Sequence, residues 1–190
     1  WNFEVEDPAE KEDILAYRHD SIAVTPSGYV QPFSDSPLDS ENVSENFFLN
    51  VINKATDYVY ITTPYLVIAN ELQTALCLAA KNGVDVRVIT PGVPDKKYVY
   101  NVTQSYYPTL LAAGVRIYEY TPGFLHAKTV LSDDQIGLVG TVNMDYRSFY
   151  FHFECGVTFY NAPILQDIKD DLLKTMEVSK EVSLAEAKAT

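Results

Sequence analysis

Apolar residues recur along this chain at two periods, and the period switches repeatedly. Residues 43–55 place them at helical spacing, which predicts a helix with Asn42 or Ser44 as N-cap. Residues 58–62, Tyr-Val-Tyr-Ile-Thr, are β-branched and aromatic and predict a strand. The alternation continues with a helix over 70–81 closed by Asn82-Gly83, a strand over 84–89 stopped by Pro91-Gly92, a helix over 96–113 ending at Gly114, and a strand over 115–120. Segments 125–131 and 135–139 predict a hairpin turning across Ser132-Asp133-Asp134. A strand over 153–160 and an amphipathic helix over 164–178 follow. Such alternation implies an α/β layered fold, a mixed β-sheet flanked by helices on both faces, with the hairpin supplying its antiparallel part.

Three stretches fall outside the pattern. Residues 1–20 are crowded with acidic side chains and read as a linker or surface helix of an upstream region; 21–24 reads as a short strand. Residues 25–41 are rich in Pro, Ser, Gly and Asp and read as a long loop, a feature often tied to function. The Ala/Glu/Lys tail over 181–190 is expected to fray. The domain is therefore drawn at 21–180.

The 190 residues fit one domain with a sizeable core, and 47% hydrophobic against 21% charged is ordinary globular composition. No apolar run reaches membrane-spanning length, and no signal peptide is visible. The chain opens on Trp1 and reads as an excerpt of a longer protein. Cys77 and Cys155 form neither a disulfide framework nor a zinc set and read as buried, inert thiols in a reducing compartment. Fourteen basic against 26 acidic residues give a net charge of −12. That argues against a nucleic-acid partner, which needs phosphates neutralised by Lys and Arg, and against adsorption to an anionic membrane. Phosphate chemistry here needs a local cationic pocket.

One stretch, 123–148, carries such groups. His126 and Lys128 lie two apart on a predicted strand and so share a face. Asn143 arrives after the hairpin returns, and Glu154 sits within an apolar strand, where a carboxylate needs a partner. An imidazole can attack phosphorus or protonate a leaving oxygen. Lys and an Asn amide can hold non-bridging oxygens, and a buried Glu can fix an imidazole's tautomer.

His126-x-Lys128, then Asp133 after four intervening residues, and then Gly140-Thr141-x-Asn143 after six more, resembles the signature of the phospholipase D superfamily. Thr63-Pro64-Tyr65, Gly83-Val84-Asp85-Val86-Arg87, the run over 118–128 and Asn143-Met144-Asp145-Tyr146-Arg147-Ser148-Phe149 look like the C-terminal half of bacterial cardiolipin synthases, across about residues 21–178. The resemblance implies a phospholipase D-like domain and a two-step phosphatidyl transfer without metal or other cofactor. One histidine forms a phosphohistidine and releases glycerol; another, from a second copy of the motif, handles protons; a further phosphatidylglycerol is the acceptor. This chain has one copy, so it is expected to be half a site, partnered by an upstream first-motif domain, on the cytoplasmic face of the cell membrane. The alternatives are a homodimeric phosphodiesterase or nuclease of the same superfamily, which the acidic charge disfavours, and a non-catalytic scaffold half, which the presence of both His126 and Lys128 disfavours.

The site residues so implied are His126, Lys128 and Asp133 as catalytic, Asn143 and Glu154 as supporting, and Thr141, Arg147 and Ser148 as substrate-binding. Ser132-Asp133-Asp134 is also good turn chemistry, which favours a hairpin-stabilising role for Asp133. Arg147 is equally able to brace Asp145 or a carbonyl. The family's usual Asn two residues before the Glu is His152 here, either an added polar group or a neutral variation. Tyr98, Tyr100, Tyr106, Tyr107 and 149–151 are candidates for an acyl-chain groove or, more ordinarily, for core packing. Glycines 137, 140 and 156 read as close-packing positions.

Overall fold

The computed structural model describes residues 27–189; the expected linker over 1–20 and strand over 21–24 lie outside the described residues. In chain order the elements are β1 (Tyr29–Asp35), α1 (Val43–Lys54), β2 (Tyr58–Thr62), β3 (Leu66–Val67), α2 (Asn70–Lys81), β4 (Asp85–Pro91), α3 (Lys97–Ala113), β5 (Arg116–Tyr120), β6 (Thr129–Ser132), β7 (Ile136–Gly140), β8 (Met144–Asp145), α4 (Tyr146–Tyr150), β9 (Glu154–Tyr160), α5 (Ile164–Glu177), β10 (Ser179–Glu181) and α6 (Leu184–Ala187). Eight strands form one sheet in the order β1-β9-β7-β6-β2-β4-β5-β10. β2, β4 and β5 are parallel because α2 and α3 carry the chain back between them. The hairpin β6–β7 and then β9 add antiparallel strands to β2.

Strand alternation sends side chains to two cores. Val59 and Ile61 of β2 pack with Phe48, Ile52, Leu72, Leu76 and Leu110 of α1, α2 and α3. Tyr58 and Tyr60 face the opposite way and meet Leu165, Ile168, Leu172 and Met176, one stripe of α5. Helices cover both faces of the mixed sheet, as the sequence predicts. Gly83 and Gly114 take positive φ and close α2 and α3 at the expected positions.

Two expectations are corrected. Part of the stretch read as a loop over 25–41 is β1, an edge strand paired antiparallel with β9. Its Pro32 is tolerated because an edge strand can turn a position without N–H toward solvent. Phe33 stacks on Phe47 at 6.3 Å between centroids. Asp35 is buried and accepts from the Ser44 backbone N–H at 2.8 Å, so it serves the start of α1 where no side chain of Asn42 does. The described part of the tail, through residue 189, carries regular structure: β10 pairs with β5, Arg116 and Glu181 form an ion pair at 2.8 Å, Val182 is buried, and a Ser183–Glu186 capping box starts α6.

Candidate active site

The chemistry-bearing residues gather at one end of the sheet, where β2 and β7 end and β6 and β9 begin. Backbone bonds set the register there. Thr129 N–H donates to Thr62 Oγ1 at 2.9 Å, Gly140 N–H to the Lys128 carbonyl at 3.3 Å, and Thr141 N–H to the Cys155 carbonyl at 2.8 Å. Gly140 and Gly156 face each other in the β7–β9 ladder. A Cβ on Gly140 would lie 2.5 Å from the Cys155 carbonyl oxygen, and one on Gly156 2.7 Å from the Phe33 ring. Glycine thus lets the signature strand lie tightly on β9, as expected of a packing position.

His126 and Lys128 are not on a strand, contrary to the sequence reading. They lie in the irregular segment just before β6. His126 is exposed, with its ring 5.6 Å from that of Phe124. Lys128 is half-buried and folds back, its Nζ donating to the His126 carbonyl at 2.6 Å. The lysine therefore braces the backbone that carries the imidazole. Burial pushes the Lys128 pKa down, while the charges of Glu154 and Asp145 push it back up.

Asn143 is held by a small unit that the sequence did not reveal. β8 pairs in parallel with β3, and Thr63 Oγ1 accepts from Met144 N–H at 3.0 Å while donating to the Tyr65 carbonyl at 2.8 Å. Asp145 N-caps α4, its Oδ1 accepting from Ser148 N–H at 2.7 Å. Ser148 Oγ in turn accepts from the Asn143 backbone N–H at 3.2 Å and from Nδ2 at 3.0 Å. Asn143 Oδ1 is buried without a hydrogen-bond partner. Turning the amide by a half-rotation would let the Ser148 hydroxyl donate to Oδ1 and would carry the N–H donors to the buried position that Oδ1 now occupies. Ser148 itself is 1% exposed, so it positions Asn143 and does not lie open to substrate.

Glu154 is buried at 7% exposure. Thr141 Oγ1 donates to its Oε2, and His152 Nδ1 lies 3.8 Å from its Oε1. Among the described residues no hydrogen bond joins Glu154 to His126, so the tautomer-fixing contact expected within this chain is not made. The carboxylate instead engages Thr141 and His152 and acts on Lys128 through its charge. His152 is therefore an added polar group at Glu154.

Asp133 takes the hairpin-stabilising place that its turn chemistry favoured, not the catalytic one that the resemblance implied. It sits past the opposite end of β6, in the β6–β7 turn, and its carboxylate accepts from Thr56 N–H and Oγ1, Asp57 N–H and Tyr58 N–H at 2.8–3.1 Å. It fastens the hairpin to the start of β2 and takes no part in the pocket. Arg147 is exposed and forms no ion pair among the described residues, so the alternative of bracing Asp145 is not realised. Cys77 is half-buried, with its thiol pKa pushed up by burial, but Cys155 is exposed on β9, against the buried reading. Among the described residues no three of His, Cys, Asp and Glu converge to hold a metal ion. No helix among the described residues is long and apolar enough to cross a membrane.

The "Cardiolipin synthase, PLD-like domain" family model matches residues 48–176. A protein of Streptococcus mutans is 51% identical over 165 residues, 87% of this chain and 35% of that protein. A cardiolipin synthase of Clostridium perfringens is 42% identical over 154 residues, 81% of this chain and 32% of its own length. The chain thus spans about a third of the length of these relatives. Among solved structures, the phospholipase D family member Nuc from Salmonella typhimurium aligns with a TM-score of 0.68 and 18% identity, over 82% of this chain and 98% of that one, a likeness of fold.

Proposed function

From the premise that the chain belongs to the cardiolipin synthase, phospholipase D-like domain family, we propose that it supplies one of two half-sites for phosphatidyl transfer between two phosphatidylglycerol molecules. The observation that carries this reading is that the segments bearing His126 and Lys128, Asn143 and the buried Glu154 meet at one sheet end, with Lys128 held against the His126 backbone and within reach of the Glu154 charge. Lys128 and Asn143 donate to the non-bridging oxygens and offset the charge that builds up at phosphorus. One imidazole of the completed site attacks phosphorus, and the departing glycerol oxygen takes a proton from the other. The acceptor hydroxyl then attacks the phosphohistidine, returns a proton to the second imidazole and releases cardiolipin. His126 is one of that pair; the other comes from an upstream first-motif domain. A phospholipid substrate implies work at the cell membrane, and the cytoplasmic face is part of this proposal. The acidic surface argues for lipid phosphate over nucleic acid.

Replacing His126 with Ala in the full-length protein tests this. Loss of a nucleophile or general acid lowers the rate by about 10²- to 10⁴-fold or more. Transfer of labelled phosphatidyl groups should fall by at least that factor, with unchanged thermal unfolding. A His126→Ala rate near wild type would refute the assignment.

A further inference from the structure

We propose that the groove between β3, α3 and α4 holds one acyl chain of the phospholipid, with the anionic headgroup between Lys96 and Arg147; this rests on the phosphatidyl-transfer reading above. The groove encloses about 330 Å³, at the low end of the roughly 300–1,000 Å³ typical of ligand pockets. Val67, Val99, Val102, Tyr65, Tyr98 and Tyr146 form its walls. Tyr98 is 80% exposed and Tyr146 45%, so large rings stand uncovered here. The structure sorts the tyrosines that the sequence offered for such a groove. Tyr107 is buried and bonded to Thr90, Tyr100 donates to Glu119, and Tyr106 donates to the Ile68 carbonyl. Of those four, Tyr98 alone lines the groove.

Charge and position select the occupant. Lys96 and Arg147 line the groove, and neither forms an ion pair among the described residues, in a chain of net charge −12. The acid that lines it, Asp145, is 8% exposed and committed to capping α4. An apolar trough with two unpaired cations fits a single-chain or two-chain lipid with an anionic head. Asp145 also ties the groove to the active site, because its charge reaches Lys128 and it lies two residues from Asn143. A second hollow, lined by Phe47, Lys54, Asp133 and Tyr160, opens at the opposite end of β6 and lacks that continuity.

Photolabelling tests the assignment. The probe is lysophosphatidylglycerol with a diazirine on its acyl chain, below its micelle concentration, added to the full-length His126→Ala protein. Adducts are expected on the first two turns of α3 or on Tyr146, competed by unlabelled phosphatidylglycerol. Val99→Trp, which fills the trough, should lower labelling at least tenfold; Val102→Asn serves if the tryptophan variant unfolds. Adducts elsewhere, or labelling undiminished in a folded variant, overturn the groove. A parallel transfer assay of the protein with His126 intact separates the two claims. Labelling here without transfer retains the groove and removes the transferase reading; transfer without labelling here removes the groove alone.

Discussion

Asp133 and Asp134 both take positive φ, 54° and 55°, the backbone of a tight hairpin turn that Asp and Asn tolerate better than most side chains. Burial opposes ionisation of Asp133, but the donors from Tyr58, Thr56 and Asp57 outweigh it and hold the carboxyl below the usual range. A depressed folded-state pKa contributes stability above the unfolded value, about 3.9, and that contribution fades as pH falls through the folded value. Asp133→Ala should therefore cost about 2–3 kcal/mol at neutral pH, the scale of a charge-assisted bond partly open to water. The deficit should shrink toward pH 3, and kcat of the folded variant should stay near wild type. Urea unfolding at several pH values with a transfer assay checks both. A tenfold fall in kcat without loss of fold would return Asp133 to the chemistry. The spacing of the signature was legible in the sequence, but not that its members divide between two ends of β6. A side chain's bonds to residues some 75 positions away leave no local pattern.

The long elements were legible because α1, α2, α3 and α5 each carry an apolar stripe and β2, β4 and β5 are short β-branched or aromatic stretches bounded by turn residues. The short ones were not. β3 and β8 have two residues each, too few to show a period, and α4 has five. Proline and polar residues hid β1, and the Ala/Glu/Lys composition hid α6. Yet the short elements place Asn143. Thr63 is fully buried, and its hydroxyl joins β8 to the loop after β2. Thr63→Val keeps the shape but leaves Met144 N–H unsatisfied, a loss of about 1–3 kcal/mol. Because β8 follows Asn143 directly, transfer should slow in the folded variant, while Thr63→Ser restores both stability and rate. Thermal unfolding and kcat for the two variants provide the check; a Thr63→Val rate equal to wild type would show that Asn143 is held without this bond.

Over the whole molecule, a pocket that works with cations is set in a chain of net charge −12. Fields from exposed charges fade over about 8 Å at physiological ionic strength, so an approaching anionic bilayer feels the acidic surface around Lys96, Lys128 and Arg147 as well as these cations. The two effects have opposite salt dependence. Repulsion from the surface relaxes as salt rises, whereas attraction to the groove cations weakens. The acidic residues are the more numerous, 26 against 14, so repulsion should govern the encounter. The 190-residue chain, its folding verified by circular dichroism, should sediment poorly with phosphatidylglycerol vesicles at low salt. Its bound fraction should rise as salt is added and then level off. Neutral phosphatidylcholine vesicles should show no such rise. Binding to the anionic vesicles that is strong at low salt and falls steadily with added salt would instead mean that the cationic groove controls the encounter from the outset.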